Sequence, residues 1–258
     1  MDTSVTTLRG LSFDVIYEKI TEFLSEMIGE RYAVIGLSGG VDSSLTAYFL
    51  ANSISKNRIF AFLLPDSTST PEDDINDARE LANELDISYR IVYIDQIAKT
   101  YLSVLEPGDN RAVGNLKARI RMSILYYYAN KLGGLVVGTG DKSELYLGYF
   151  TKYGDGGVDI LPIGDLYKTE VREAAEHFQL PESIVKKKSS PRLWPGQTAE
   201  DELGISYEVA DRILYELIDL KRPRDEVINK WKDKAQRVLS LMDSSQHKRS
   251  LPAIARLT

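Results

Sequence analysis

VIGLSGGVDSSLTAYFL, Val34 to Leu50, is the stretch that decides the fold. An apolar run of strand length leads into a serine, two glycines, an acid and two more serines. A segment of helical character then begins at Ser43 and runs to Ser53. Glycines after a buried strand let the backbone close around an anion, and the helix that follows presents free N–H groups to it. Asp42 or Ser43 is expected to cap that helix. A plain turn would explain an isolated Gly-Gly pair. The longer run Gly36, Leu37, Ser38, Gly39, Gly40, Val41, Asp42 and Ser43 reads as a phosphate cradle. No Gly-Lys-Ser/Thr follows, so it is not a Walker A loop, and the spacing is not G-x-G-x-x-G.

On both sides of this loop, short apolar runs alternate with helical patterns. Leu11 to Ile28 predicts an amphipathic helix with Phe13, Ile16, Ile20, Phe23, Leu24 and Met27 on one stripe. YAVIGL, Ile59–Leu64, Tyr89–Ile94 and Leu135–Thr139 read as four strands. Pro71 opens a helix that runs to about Leu85, with Glu72, Asp73 and Asp74 in its first turn. Asn115 to Leu132 is a long helix. After Pro162 the pattern turns mostly helical, most clearly over Tyr167–Phe178 and Tyr207–Leu220. Continuous apolar strands alternating with helices imply an α/β fold: an open, mainly parallel sheet covered on both faces. The expected organisation is one domain, with an N-terminal helix over 11–29, an α/β core over roughly 30–180 and a helical C-terminal part over roughly 181–258. Neither linker nor repeat interrupts it.

The chain has 258 residues, 43% of them hydrophobic, and a net charge of -6. That balance argues against a general affinity for nucleic acid while leaving room for a local basic pocket. It contains no cysteine, which excludes disulfides, thiolate metal sites and cysteine nucleophiles. No apolar stretch approaches membrane length, and MDTSVTTLRG has no basic-then-apolar leader pattern. A cytoplasmic location is expected.

SGGVDS resembles the pyrophosphate loop of the ATP pyrophosphatase superfamily, whose members cleave ATP between the α- and β-phosphates. Sulfur-transferring members use cysteine persulfides, which this chain cannot form. Glutamine-dependent members carry a glutaminase, and no such segment is present here, so free ammonia is the expected nitrogen source. GNLKARIRM (114–122), GTGDKSELYLGYFTKYGDGGVDILPI (138–163), LYKTEVR (166–172), DELGISYE (201–208) and HKR (247–249) follow in that order. Together they resemble ammonia-dependent NAD synthetase over nearly the whole chain. The resemblance implies adenylation of the carboxylate of deamido-NAD by ATP, then displacement of AMP by ammonia. Two rivals share the loop: a stand-alone domain that makes GMP from XMP, and a non-catalytic nucleotide sensor. TKYGDGGVD and HKR favour the dinucleotide over the first. Asp42, Glu144 and Lys168 together argue against the second.

Bringing two anionic substrates together demands cations. By the resemblance, Asp42 and Glu144 bind magnesium, a hard ion suited to carboxylate oxygens. Glu144 could otherwise only favour its helix's N-terminus. Thr139, Lys168 and Ser190 match ATP-binding positions. Lys168 would balance charge as pyrophosphate leaves; its alternative is a solvated first-turn lysine. The segment Lys186–Gln197 is expected to be a mobile lid, with Lys186 to Lys188 individually solvated. Arg119, Lys152, Asp159, His247 and Lys248 match contacts to deamido-NAD. Lys117 and Arg121 share a face of their helix and Arg119 points elsewhere, and the KAR match selects Arg119. His177 reads as structural. Asp155 is the expected proton acceptor for ammonium. The resemblance also implies a homodimer. The greasy helix end at Ile124, Leu125 and Tyr126–Tyr128 fits that or burial within one subunit.

Overall fold

The computed structural model describes residues 7–257, so the first six residues of the N-terminal stretch read above lie outside it. Four strands form one sheet: β1 (Ala33–Gly36), β2 (Ile59–Leu63), β3 (Ser88–Ile91) and β4 (Leu135–Val137). Their order is β3-β2-β1-β4 and every pairing is parallel, with Ala33 opposite both Ile59 and Leu135. The expected parallel sheet is therefore present, although each strand is shorter than its apolar run. β3 alternates exposed with half-buried residues, as suits an edge strand rather than a buried one.

Side chains of a strand alternate between faces, and this sheet uses both. Ala33, Ile35, Ala61, Leu63 and Val137 join one core with α1 (Phe13–Ile28), α2 (Val41–Ser53) and α3 (Glu72–Glu84). Val34, Phe62 and Val136 join another with α4 (Asp95–Leu102) and α5 (Asn110–Leu132). The stripe of α1 is Phe13, Ile16, Ile20, Leu24 and Ile28. Phe23 and Met27 are exposed, which corrects the expected stripe. The line spaced by four residues faces α2, and the parallel line beside it faces solvent.

α6 (Lys142–Leu147) follows β4, and α7 (Lys168–His177) packs on α2 in the first core with α8 (Glu182–Val185). There His177 stacks on Phe13 with ring centroids 4.4 Å apart, the structural role expected of it. α9 (Ala199–Leu203), α10 (Tyr207–Ile218), α11 (Arg224–Trp231) and α12 (Asp233–Ser244) build a third core, into which Leu147 and Tyr167 reach.

After β1 the chain crosses to β2 and β3 on one side, then returns to place β4 on the other. The strand order reverses between β1 and β4. In open parallel sheets a ligand crevice forms outside the carboxyl ends of the strands at such a point. The loops leaving β1 and β4 therefore flank it.

Candidate active site

The loop after β1 is tied by its own serines. Ser43 Oγ accepts the Ser38 N–H at 3.1 Å and donates to the Gly40 carbonyl at 3.1 Å, while Ser38 Oγ lies 3.0 Å from it. Gly39 has φ +74°, and a Cβ there would meet the Asp74 carbonyl oxygen at 2.1 Å, so only glycine fits. The cap of α2 is Gly40, not Asp42 or Ser43 as expected; the helix begins at Val41. Gly40 supplies no side-chain cap, so the first N–H groups of α2 stay available for an anion. Asp42 is thereby freed to point elsewhere.

It points at Lys168. The Lys168 ammonium, 0% exposed, donates to Asp42 Oδ1 at 2.7 Å and to Glu144 Oε1 at 2.9 Å. It also lies 2.9 Å from Asp141 Oδ2. The solvated alternative for Lys168 is thus excluded: the lysine is the hub of a buried cluster. Burial alone would lower its pKa, but the charges of Asp141, Asp42 and Glu144 outweigh that and hold it well above the ordinary value. Burial raises Asp141 to about 6 despite Lys168, and raises Glu144 well above the usual carboxylate range.

Asp141 is a site residue that the sequence reading misses. It caps α6, accepting the Glu144 N–H at 2.7 Å, while Glu144 Oε2 accepts the Asp141 N–H at 3.4 Å. The D-x-x-E spacing directly after a strand is the available signal. Oxygens of Asp42, Asp141 and Glu144 all lie within 4.8 Å of one another. Three carboxylates face one ammonium, and the buried Asp141 Oδ2 receives no aligned hydrogen bond. That donor set fits a hard divalent cation.

A cleft of about 580 Å³ opens over this cluster. Gly36, Leu37, Ser38, Gly40, Val41, Asp42, Ser43, Thr139, Glu144, Asp155, Ser190 and Lys248 line it; Gly39 and Lys168 lie behind its wall. Asp155 Oδ1 accepts the Thr151 N–H at 2.8 Å, and desolvation within the wall raises its carboxyl pKa.

The segment 186–197 covers one side of the cleft and is fastened there. Lys187 Nζ donates to the Gly39 carbonyl at 2.9 Å and to Asp77 at 2.6 Å, and pairs with Asp74 at 2.7 Å. Arg192 Nε reaches Asp74 at 2.8 Å, and Ser190 Oγ donates to the Gln197 carbonyl at 2.6 Å. Lys186 and Lys188 are exposed as expected, but Lys187 ties the segment to both the glycine loop and α3.

The residues matched to the dinucleotide fall outside the cleft lining, except Lys248. Arg119 Nε donates to the Lys152 carbonyl at 3.3 Å, and Lys152 Nζ to the His247 carbonyl at 2.6 Å, so these three meet on one surface. Lys248 Nζ holds the carbonyls of Gly148 and Phe150 at 2.6 and 2.7 Å. Asp159 is occupied separately: it accepts from the Val136 N–H at 2.7 Å and from the Tyr126 hydroxyl at 3.1 Å. Lys117 pairs with Asp66, and Arg121 donates to the Leu64 carbonyl, which leaves Arg119 as the outward-facing member of the three.

Comparison with known proteins places nearly the whole chain in one family. The family model described as NAD synthase matches residues 16–252. The chain is 51% identical to the NH(3)-dependent NAD(+) synthetase of Saccharolobus solfataricus, over 94% of this chain and 88% of that protein. It is 48% identical to the protein of that name from Hyperthermus butylicus, over 98% and 94%. Among solved structures, an NH3-dependent NAD synthetase from Campylobacter jejuni superposes with TM-score 0.81 at 32% identity, covering 95% of this chain and all of that one. The NMN synthetase of Francisella tularensis superposes with TM-score 0.84 at 32% identity, covering 96% and 100%. The chain belongs to the NAD synthase family.

Proposed function

We propose that this protein is a ligase that amidates the carboxylate of deamido-NAD with ammonia at the expense of ATP, releasing AMP and pyrophosphate. The observation that carries the reading is the buried Lys168–Asp42–Asp141–Glu144 cluster set beside an uncapped helix N-terminus. Family membership supplies the reaction class.

A carboxylate is a poor electrophile, since its charge repels a nucleophile. In the first step its oxygen attacks the α-phosphorus of ATP, the bond to the bridging oxygen breaks, and pyrophosphate leaves with the electron pair. The first N–H groups of α2 and the Ser38–Ser43 loop cradle the phosphates. Lys168, behind the cleft wall, places a fixed positive charge near the phosphates on which negative charge grows. Asp42, Asp141 and Glu144 would hold magnesium, which supplies charge neutralisation on the phosphates when bound. In the second step ammonia attacks the acyl carbon, the bond to the phosphate oxygen breaks, and AMP departs. Asp155 is positioned at the cleft wall to accept the proton that ammonium loses. Thr139 and Ser190 border the nucleotide. Arg119, Lys152, Asp159, His247 and Lys248 contact the dinucleotide in this reading.

A second copy of the chain completes the proposal. Ile97, Tyr101, Leu105 and Tyr127, on or beside α4 and α5, are exposed large apolar side chains in the single chain. A homodimer would cover them, and sedimentation of wild type against Tyr101→Glu tests this. No helix among the described residues is long and apolar enough to cross a membrane. The proposed location is the cytoplasm, which holds the ATP that is consumed.

The test of function incubates the protein with ATP, magnesium, ammonium and one acceptor: deamido-NAD, nicotinic acid mononucleotide or XMP. Pyrophosphate, AMP and amide are expected with deamido-NAD. Amide formed faster from the mononucleotide would move the protein toward the activity named for its Francisella neighbour. Absence of pyrophosphate with deamido-NAD would refute the reading.

A further inference from the structure

Asp211 lies on α10, in the helical C-terminal part, and touches none of the groups that react. It is nevertheless 0% exposed, and two different elements occupy its two oxygens. Oδ1 accepts the hydroxyl of Ser143 at 2.5 Å, and Oδ2 accepts the backbone N–H of Thr169 at 2.9 Å. Ser143 Oγ in turn accepts the backbone N–H of Lys168 at 2.9 Å. Ser143, fully buried, stands between Asp141 and Glu144 in the first turn of α6. Thr169 follows Lys168 in the first turn of α7.

The opening N–H groups of a helix lack partners within it. At α7 those of Lys168 and Thr169 are satisfied from outside, by Ser143 and Asp211. A short polar side chain at the position of Tyr167 would cap α7 more simply. Such a cap would not add a fourth acid beside three carboxylates that already outnumber their one ammonium. Nor would it join α7 to α6. Asp211 does both: burial raises its carboxyl to about 7, with the nearby Asp141 charge adding to that rise. It also grips the turn that carries Asp141 and Glu144 together with the turn that carries Lys168.

We propose that Asp211 is a positioning residue for adenylation: by bridging Ser143 and Thr169 it sets the distance between the Lys168 ammonium and the Asp141–Glu144 turn, so that the cluster meets the triphosphate in one geometry. The inference rests on the function proposed above. It assigns a catalytic consequence to a contact that lies wholly behind the cleft wall.

The experiment uses the full chain as wild type, Asp211→Asn, Ser143→Ala and the double variant. Pyrophosphate release is followed with ATP, magnesium and deamido-NAD, and thermal melting is recorded in parallel. Displacing a reacting group by about 1 Å costs on the order of 100-fold. Each single variant is therefore expected to lose about that factor in kcat, with KM for ATP changed less than about threefold. The double variant is expected to fall no further than the weaker single, because both changes break one bridge. Three results would overturn the inference: a rise in KM with kcat intact, losses that multiply in the double variant, or a lower melting temperature with normal kcat in the folded fraction. Should Asp211→Asn fail to fold, Ser143→Ala, which deletes one hydroxyl, decides alone: wild-type kcat there refutes the bridge. A wild type that releases no pyrophosphate defeats the proposed function itself, which is a different outcome from fully active variants.

Discussion

Replacing Lys168 with methionine removes one ammonium from a fully buried site and leaves Asp42, Asp141 and Glu144 facing one another. Methionine nearly fills the space of the lysine stem, so the cost is electrostatic. Removing one partner of a buried ion pair costs about 3–5 kcal/mol, because the remaining charge stays uncompensated. In a chain of this size each kcal/mol moves the melting temperature by roughly 2–4 °C, so the variant is expected to melt roughly 6–20 °C below wild type at pH 8 in chelator. The sign of the pH dependence follows from the carboxylates. Asp141 is already raised to about 6, and Glu144 well above its usual range, with Lys168 in place; without it both rise further. A carboxyl whose pKa is raised by folding favours the folded state at low pH and loses that contribution as pH climbs through the raised value. The deficit should therefore be smallest near pH 5 and grow toward pH 8. Magnesium should narrow it, because the acids left without their ammonium bind the cation more tightly than the paired acids of wild type, and a ligand at 100 times its Kd stabilises the folded form by about 2.7 kcal/mol. Loss of a preorganised charge at the reacting phosphate costs about 10²–10³ in kcat. Differential scanning fluorimetry at pH 5 and 8, with chelator or magnesium, and a pyrophosphate assay read these effects. Melting at the wild-type temperature at pH 8 in chelator, or pyrophosphate release within about threefold of wild type, would refute the reasoning.

Gly39→Ala places a methyl 2.1 Å from the Asp74 carbonyl and forces alanine to a φ of +74°. Left-handed backbone costs roughly 1–2 kcal/mol before the clash is counted, so ATP binding measured by calorimetry should weaken at least about tenfold; unchanged affinity would contradict the loop's role. Lys187→Ala cuts the ties from segment 186–197 to Gly39, Asp74 and Asp77. Limited proteolysis should then cleave within that segment faster and KM for ATP should rise, whereas identical digestion would show that other contacts hold it. Asp155→Asn removes the proposed proton acceptor, whose pKa is raised by burial. Because a base works deprotonated, wild-type kcat should climb with pH through that raised value, and the variant should be slower and lack the step. Equal turnover across pH would remove Asp155 from the mechanism.

What the sequence makes legible here is what short-range chemistry controls. The glycine loop announces itself because strand, turn and helix succeed one another within a single short stretch, and the left-handed φ of +74° at Gly39 is a local demand for glycine. The sheet is legible for the same reason, as runs of apolar residues. The phase of α1 is not: its apolar residues cover more than one line, and only packing on α2 selects Leu24 and Ile28 over Phe23 and Met27. α4 escapes notice because Ala98 is its only buried residue. α5 starts at Asn110, earlier than its pattern suggests, since Asp109 caps it and Gly114 interrupts the signal. That glycine is explained only by a distant neighbour, Leu193, which would lie 2.9 Å from a Cβ there. Charged residues are the hardest to place. Lys187 looks like a solvated lysine until Gly39, Asp74 and Asp77 pin it, and nothing local to Lys168 reveals that three acids bury it. Asp141 is hidden by a double task, since a helix cap is sufficient reason for an aspartate.

The Lys168–Asp42 pair joins residues 126 positions apart. Parallel strands and distant pairs of this kind close late in folding, because long loops must be ordered before their contacts form. Synthesis runs from the N-terminus, so Asp42, Asp141 and Glu144 all leave the ribosome before the one ammonium that reconciles them. Until α7 docks, the three acids lack their ammonium and oppose each other's approach. A truncated product lacking α7 would thus hold the three acids without the ammonium that pairs with them.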